Sequence, residues 1–344
     1  MGRQFMAVVV TGMAVAVTTP VVMAGQVQDG WMVPRTPDGQ PDLGGIWASD
    51  SATPLQRPAV LGDRSTLTDE EVAAMQAHAT ASLEVGGDAV FGDSVFLQAL
   101  AALENPGGTS TGSRPPFWSY DQQWMIDRWF DNRTSLIVDP PNGRMPPRTP
   151  EAMQRAERPR AARDASSPTR RQTVSEELAS LDPGVVCRGG RIPMSGRGYN
   201  SNYQILQTVD YVAIQMEMMH DTRLIPIGSG ASRQVVPRQD LGSSRGRWDG
   251  DTLVVETTNL SQGLSGSSRD VRLTERFTRV GPERLQYEYT VTDPSTWAQS
   301  WTARVFMRPT PGTGAIYEFA CHEGNYAAEL TLRSTRADEA AKGQ

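Results

Sequence analysis

Ten residues near the C-terminal end, Tyr317-Glu318-Phe319-Ala320-Cys321-His322-Glu323-Gly324-Asn325-Tyr326, gather one of the chain's two cysteines and one of its three histidines with two carboxylates. Their alternation predicts a strand over Tyr317 to Glu323. Glu318, Ala320 and His322 would then share one face, with Tyr317, Phe319, Cys321 and Glu323 on the other. A second histidine, His220, is followed by Asp221 as His322 is followed by Glu323. An imidazole steered by a carboxylate can move a proton near neutral pH, and an arginine beside it can hold a developing anion. The candidate catalytic set is therefore His220, Asp221, His322 and Glu323, with Glu288 sharing protons and Arg276 stabilising charge. Candidate substrate contacts are Trp118, Trp129, Tyr287, Trp248 and Arg223, since aromatics with a few charges line many small-molecule sites. Elimination, hydration, isomerisation or hydrolysis of a small or medium organic substrate would all fit this set.

Two other readings use the same residues. In one, a β-barrel binds a small molecule without altering it. In the other, the charges form a solvated outer face and the histidines are structural. Metal binding is a sub-case of the first reading, because two histidines with one or two carboxylates suit zinc or iron. The histidines lack a tight His-x-His or His-x-x-x-His spacing, so only the fold could pair them. No organic cofactor is implied. Lys342 is the only lysine, which argues against Schiff-base chemistry. Gly196-Arg197-Gly198 and Gly228-Ser229-Gly230 read as loops rather than phosphate cradles. A net charge of −6 argues against non-specific nucleic-acid binding. Oligomeric state is left open.

The elements that would position these residues fall into two halves. The N-terminal residues read as an export signal: Arg3, an apolar run from Phe5 to Val17, and small residues before Gly25, giving a leader over 1–24. A periplasmic or secreted location follows, and no later stretch is apolar enough to cross a bilayer. In an oxidising compartment, Cys187 and Cys321 are expected to form a disulfide. A reactive or metal-binding thiol at Cys321 is the alternative.

Residues 25–182 read as a wrapping region. Pro34 to Gly39 is turn chemistry, and Asp42 to Trp47 enters a strand. Thr68 and Glu71 form a capping box, predicting a helix to about Ala81 with His78 as an exposed helix residue. A shorter helical piece is expected near Ser94 to Leu103. The aromatic stretch Phe117 to Phe130 would be a hydrophobic plug or a pocket wall. Thr134 to Val138 is a short strand, and the arginine-rich 151–182 is an exposed helical or linker segment.

From Cys187 onward the texture is strand after strand. Tyr203 to Gln207 turns near Val209-Asp210 into one long strand, Val212 to Ile225. Asp249-Gly250 marks a hairpin between Ser244–Trp248 and Thr252–Glu256. A second hairpin turns at Gly281-Pro282, and Trp301 to Met307 precedes the closing strand at Tyr317. Such a meander closes into an antiparallel barrel or a strongly curved sheet over 183–335, followed by a disordered tail, 336–344. Gly45-Ile46-Trp47 resembles the opening of lipocalin-type barrels.

Several stretches together resemble a large group of uncharacterised exported bacterial proteins: PRTPDGQPDLGGIW (34–47), RTSLIVDPPNGRMPP (133–147), MHDTR (219–223), SRGRWDGDTLVVET (244–257), LTERFTR (273–279), DPSTWAQSWT (293–302) and ACHEGNY (320–326). The resemblance covers most of the mature chain. It implies export and relatedness, and it supplies no mechanism. Arg170 to Pro183 departs from the group's pattern.

Overall fold

A computed structural model describes residues 31–85, 89–104, 125–156, 187, 192–196, 199–228, 237–310 and 314–342. The expected leader, Trp118 and most of the arginine-rich segment lie outside the described residues. The chain is mainly β. Ten strands build one antiparallel sheet: β1 Gly45–Ala48, β2 Ile137–Asp139, β3 Asn202–Gln207, β4 Tyr211–Met216, β5 Thr222–Pro226, β6 Ser243–Asp249, β7 Thr252–Thr258, β8 Arg272–Gly281, β9 Arg284–Thr292 and β10 Trp301–Pro309. Their order across the sheet is β5-β4-β3-β1-β10-β9-β8-β7-β6, with β2 also paired to β10.

Eight of these strands, β3 to β10, follow one another; the alternation predicted β3 and β6 to β10 and read β4 and β5 as one strand. The hairpin turns sit where expected. Gly250 takes φ +58 between β6 and β7, a conformation glycine adopts without steric cost. The wrapping region does more than wrap. Its β1 lies at the centre of the sheet, paired to β3 on one side and β10 on the other, and β2 joins the far part of β10.

The inner face is apolar and filled by side chains. Trp47, Tyr203, Ile205, Val212, Ile214, Met216, Leu253, Val255, Leu273, Phe277, Tyr287, Tyr289, Trp301, Val305 and Met307 belong to one buried cluster. Period-2 alternation explains the pattern directly, as along β9, where Leu285, Tyr287, Tyr289 and Val291 are buried and the intervening residues are not. The sheet curls until its edge strands β5 and β6 face each other. One isolated bridge, Ile227 to Gly246, spans them just beyond β5, with the Gly228 N–H donating to Gly246 O at 2.9 Å. No ladder joins β5 to β6, so the sheet is open rather than a closed barrel. Glycine at 246 permits the close approach, because a Cβ there would stand 2.6 Å from Ile227 Cδ1.

Three sequence expectations are corrected here. The long strand Val212 to Ile225 is broken after Met216: Met219 and His220 take positive φ values of 66 and 56, and a short turn separates β4 from β5. The stretch Tyr317 to Glu323 is not a strand. Both sides of β10 are already occupied by β9 and β1, so the segment has no adjacent edge to join. The residues from 336 to Lys342 continue a helix, Ala327–Lys342, instead of forming a disordered tail.

Two helices pack outside the sheet: α1 Asp69–Val85 and α2 Ser94–Glu104. The capping box starts α1 as predicted, with the Glu71 N–H donating to Thr68 Oγ1 at 3.2 Å and the Thr68 N–H to Glu71 Oε2 at 2.8 Å. Leu67, Met75, Phe96, Ala99 and Phe130 form a second, smaller core that ties both helices to the segment around Phe130.

Candidate functional site

The small core just described leaves a cleft beside it. The cleft lies between α1, α2 and residues 125–128, and its apolar lining is Ala79, Leu83, Val90, Val95, Met125 and Ile126. Its polar lining is His78, Ser82, Gln98, Asp127 and Arg128. Helical spacing places His78 with Ser82, and Ala79 with Leu83, each pair one turn apart on α1. Asp127 is held by α1, accepting from Gln76 Nε2 at 3.3 Å and Thr80 Oγ1 at 3.2 Å. Gln76 also anchors the backbone next to it, donating to Arg128 O at 3.0 Å and accepting the Phe130 N–H at 3.1 Å.

Arg128 is buried and ties its own segment to two others. Its Nη1 donates to Gly92 O at 3.0 Å and its Nη2 to Ser51 O. Burial lowers its pKa, and the nearby Asp93 and Asp50 carboxylates oppose that shift. The Asp93 carboxyl is raised by desolvation, against the Leu55 N–H and the charge of Arg128. Apolar walls with a few oriented polar groups are the usual composition of a small-molecule site. An imidazole and a carboxylate on one cleft are also the side-chain types that proton transfer needs.

The residues singled out from sequence are distributed differently. His220 lies on the surface, in the turn between β4 and β5, and its Nε2 accepts the Phe319 N–H at 2.6 Å. Its ring also meets Phe319 edge-on. His322 and Glu323 are exposed, two residues or fewer past the cysteine that forms the Cys187–Cys321 disulfide. The disulfide is formed as expected, and Asn325 Nδ2 contacts Cys187 Sγ at 3.2 Å. The C-terminal segment is thus tied at Phe319 and Cys321, beside His220, but the cleft is lined elsewhere. Glu288 and Arg276 are on the outer face of the sheet, each with its own partner. Arg304 donates to Glu288 at 2.7 Å and Arg276 to Asp249 at 3.1 Å.

Two of the proposed substrate contacts do meet, in the interior. Arg223 and Glu275 form a fully buried fork-to-fork pair, with Nη1 to Oε1 at 3.0 Å and Nη2 to Oε2 at 2.5 Å. The Tyr287 hydroxyl donates to Glu275 Oε1 at 2.8 Å and accepts the Met194 N–H at 3.1 Å. Ser244 and Thr257 accept from the same Arg223 nitrogen, each at 3.1 Å. Burial would depress the guanidinium, but Glu275 overrides it and raises the Arg223 pKa. Burial first, and then the Glu275 charge, push the Tyr287 phenol well up. This network links β5 to β9 across the filled interior, so Arg223 and Tyr287 hold the curl and touch no open space. Trp248 is half-buried against the main core.

Trp129 has a different setting. Two guanidiniums lie over its ring, Arg284 at 5.8 Å and Arg308 at 5.4 Å from the ring centre. Arg284 also faces the Phe306 ring at 5.4 Å, and Arg133 covers that ring at 4.9 Å. Cations and aromatic rings therefore alternate along the outer face of β9 and β10.

His78 was not a candidate from sequence, because nothing local says which face of α1 meets α2, whereas Asp127 and Arg128 belong to the stretch read as a plug or a pocket wall. Glu275 was also missed, although a signal existed: it is the one acid in the otherwise apolar alternation Val271, Leu273, Glu275, Phe277. Among the described residues, no group of three or more His, Cys, Asp and Glu side chains could hold a metal ion, and no helix is long and apolar enough to cross a membrane. No family model, curated protein or solved structure matches the chain.

Proposed function

We propose that this is an exported, disulfide-stapled protein that binds a small, largely apolar organic molecule in the cleft between α1, α2 and residues 125–128. The observation carrying this reading is the lining itself: six apolar side chains with His78, Gln98, Asp127 and Arg128 among them. The filled interior of the curled sheet supports a site outside it rather than a lipocalin-like calyx. The disulfide supports an oxidising compartment, and so does the apolar stretch at 5–17.

Native mass spectrometry of the purified protein, followed by a thermal-shift screen of small aromatic and aliphatic compounds, tests the proposal. Retained or added ligand should raise the melting temperature of the wild type. Val90→Trp, which fills the cleft from a loop position, should abolish that rise. An equal rise in both proteins would place binding elsewhere and overturn the assignment.

One observation favours a second reading, acid–base catalysis on the bound molecule: His78 and Asp127 line the same cleft. Under this reading a binding compound is turned over, and His78→Ala abolishes turnover while the thermal shift remains. Binding with no product after long incubation rejects it.

A further inference from the structure

Along the outer face of β9 and β10, each arginine but one has a carboxylate. Arg133 pairs with Asp131 at 2.6 Å, Arg304 with Glu288 at 2.7 Å, and Arg308 with Asp50. Arg284 is the exception: no hydrogen bond or ion pair joins its guanidinium to any described residue, and its contacts are the rings of Trp129 and Phe306. Glu283, its neighbour in the β8–β9 turn, is exposed and makes no ion pair with it. We infer that Arg284 is the centre of a surface binding site for a small monocarboxylate.

The geometry gives the reasons. Arg284 starts β9 on a hairpin, so its backbone is fixed by the ladder to β8 and β10. Phe306 is buried, and Trp129 is held by the parallel bridge between Trp129 and Ser51. The guanidinium therefore lies over two aromatic rings, at 5.8 and 5.4 Å from their centres, which restricts its motion before any ligand arrives. A pre-organised planar fork loses little entropy on binding and matches the two oxygens of a carboxylate. Charge decides between oxyanions. The three neighbouring arginines are already neutralised, leaving one uncompensated positive charge, with Glu283 nearby. One negative charge is complementary there, whereas a phosphate dianion would be left with an excess. The adjoining Trp129 ring offers a face for the organic part of the acid.

The test is a titration of the full-length protein with sodium acetate, and separately with inorganic phosphate, at ionic strength held constant with sodium chloride. The readout is the fluorescence of Trp129, isolated by subtracting the signal of a Trp129→Phe variant. The inference expects a saturable change with acetate, weaker or absent with phosphate. Arg284→Gln should weaken acetate binding roughly tenfold or more, the loss expected for charged hydrogen bonds. Arg284→Lys, which keeps the charge but lacks the fork, should also weaken it and remains available should the glutamine variant fail to fold. No saturation in the wild type, or equal affinity in the variants, overturns the site. Phosphate binding as tightly as acetate overturns the assignment to a monocarboxylate. Trp129 adjoins cleft residues 125–128, so the Arg284 variants, which leave the cleft lining untouched, separate this proposal from the cleft.

Discussion

The backbone N–H of Phe319 donates to Nε2 of His220 across 99 positions of sequence. The ring nitrogen accepts through its lone pair, so the imidazole serves here as a backbone acceptor. The interaction and the nearby disulfide dock the C-terminal segment on the turn between β4 and β5. The imidazole first read as a proton carrier is thus engaged in holding backbone.

Replacing His220 with alanine should leave the sheet intact and loosen that segment. One hydrogen bond contributes about 0.5–1.5 kcal/mol net, so exchange of the Phe319 amide should accelerate by roughly two- to tenfold. Hydrogen–deuterium exchange with fragmentation resolves this amide. Unchanged protection at Phe319 would contradict the docking role.

Arg223 and Glu275 predict an asymmetric mutational result. Glu275→Leu leaves a buried guanidinium and the Tyr287 hydroxyl without their acceptor, at a cost of about 3–5 kcal/mol. The double variant Arg223→Met with Glu275→Leu removes both charges and should recover much of that loss. Urea unfolding monitored by tryptophan fluorescence measures both. Additive losses in the double variant would contradict the coupling.

Asp293 should impose an acid-side pH dependence on stability. Burial pushes its carboxyl up, but hydrogen bonds from Ser295, Thr296 and Ser268 together outweigh it and bring the pKa from 3.8 to about 2. The folded value is below the unfolded one, so the stabilisation is fully present above about pH 4 and is lost as pH falls toward 2. Asp293→Asn should destabilise at neutral pH and converge with the wild type near pH 2. Melting temperatures of both proteins between pH 2 and 7 check the sign.

The disulfide closes a loop of 134 residues. Chain-entropy arguments put its contribution at roughly 5 kcal/mol. A Cys187→Ser, Cys321→Ser variant should unfold at lower urea concentration, and reduction of the wild type should reproduce the shift. A reduced protein as stable as the oxidised one would remove the disulfide from the account of stability.

The parts legible in the sequence were those with local signals. Asp249-Gly250 and Gly281-Pro282 punctuate alternating runs, so the hairpins and most strand faces could be read directly. The Thr68–Glu71 capping box fixed the start of α1 in the same way. What failed was non-local or lacked punctuation. The break at Met219 and His220 uses left-handed backbone at residues that are neither glycine nor asparagine, and Met216 and Met218 continue the alternation up to it. Tyr317 to Glu323 alternates like a strand but has no free edge beside β10. His78 looked solvated because the cleft exists only once α2 and residues 125–128 pack on α1.

Strand β1 carries a consequence for how the molecule is assembled. It leaves the ribosome early, yet its two neighbours are β3 and β10, and the Asp50–Arg308 ion pair just beyond it joins residues 258 positions apart. The centre of the sheet therefore stays unfinished until the final strand has been delivered, which makes folding intrinsically slow for this topology. A chain that must wait for its own end exposes unpaired strand edges in the meantime, and any truncation ahead of β10 should yield an aggregating product rather than a smaller folded one.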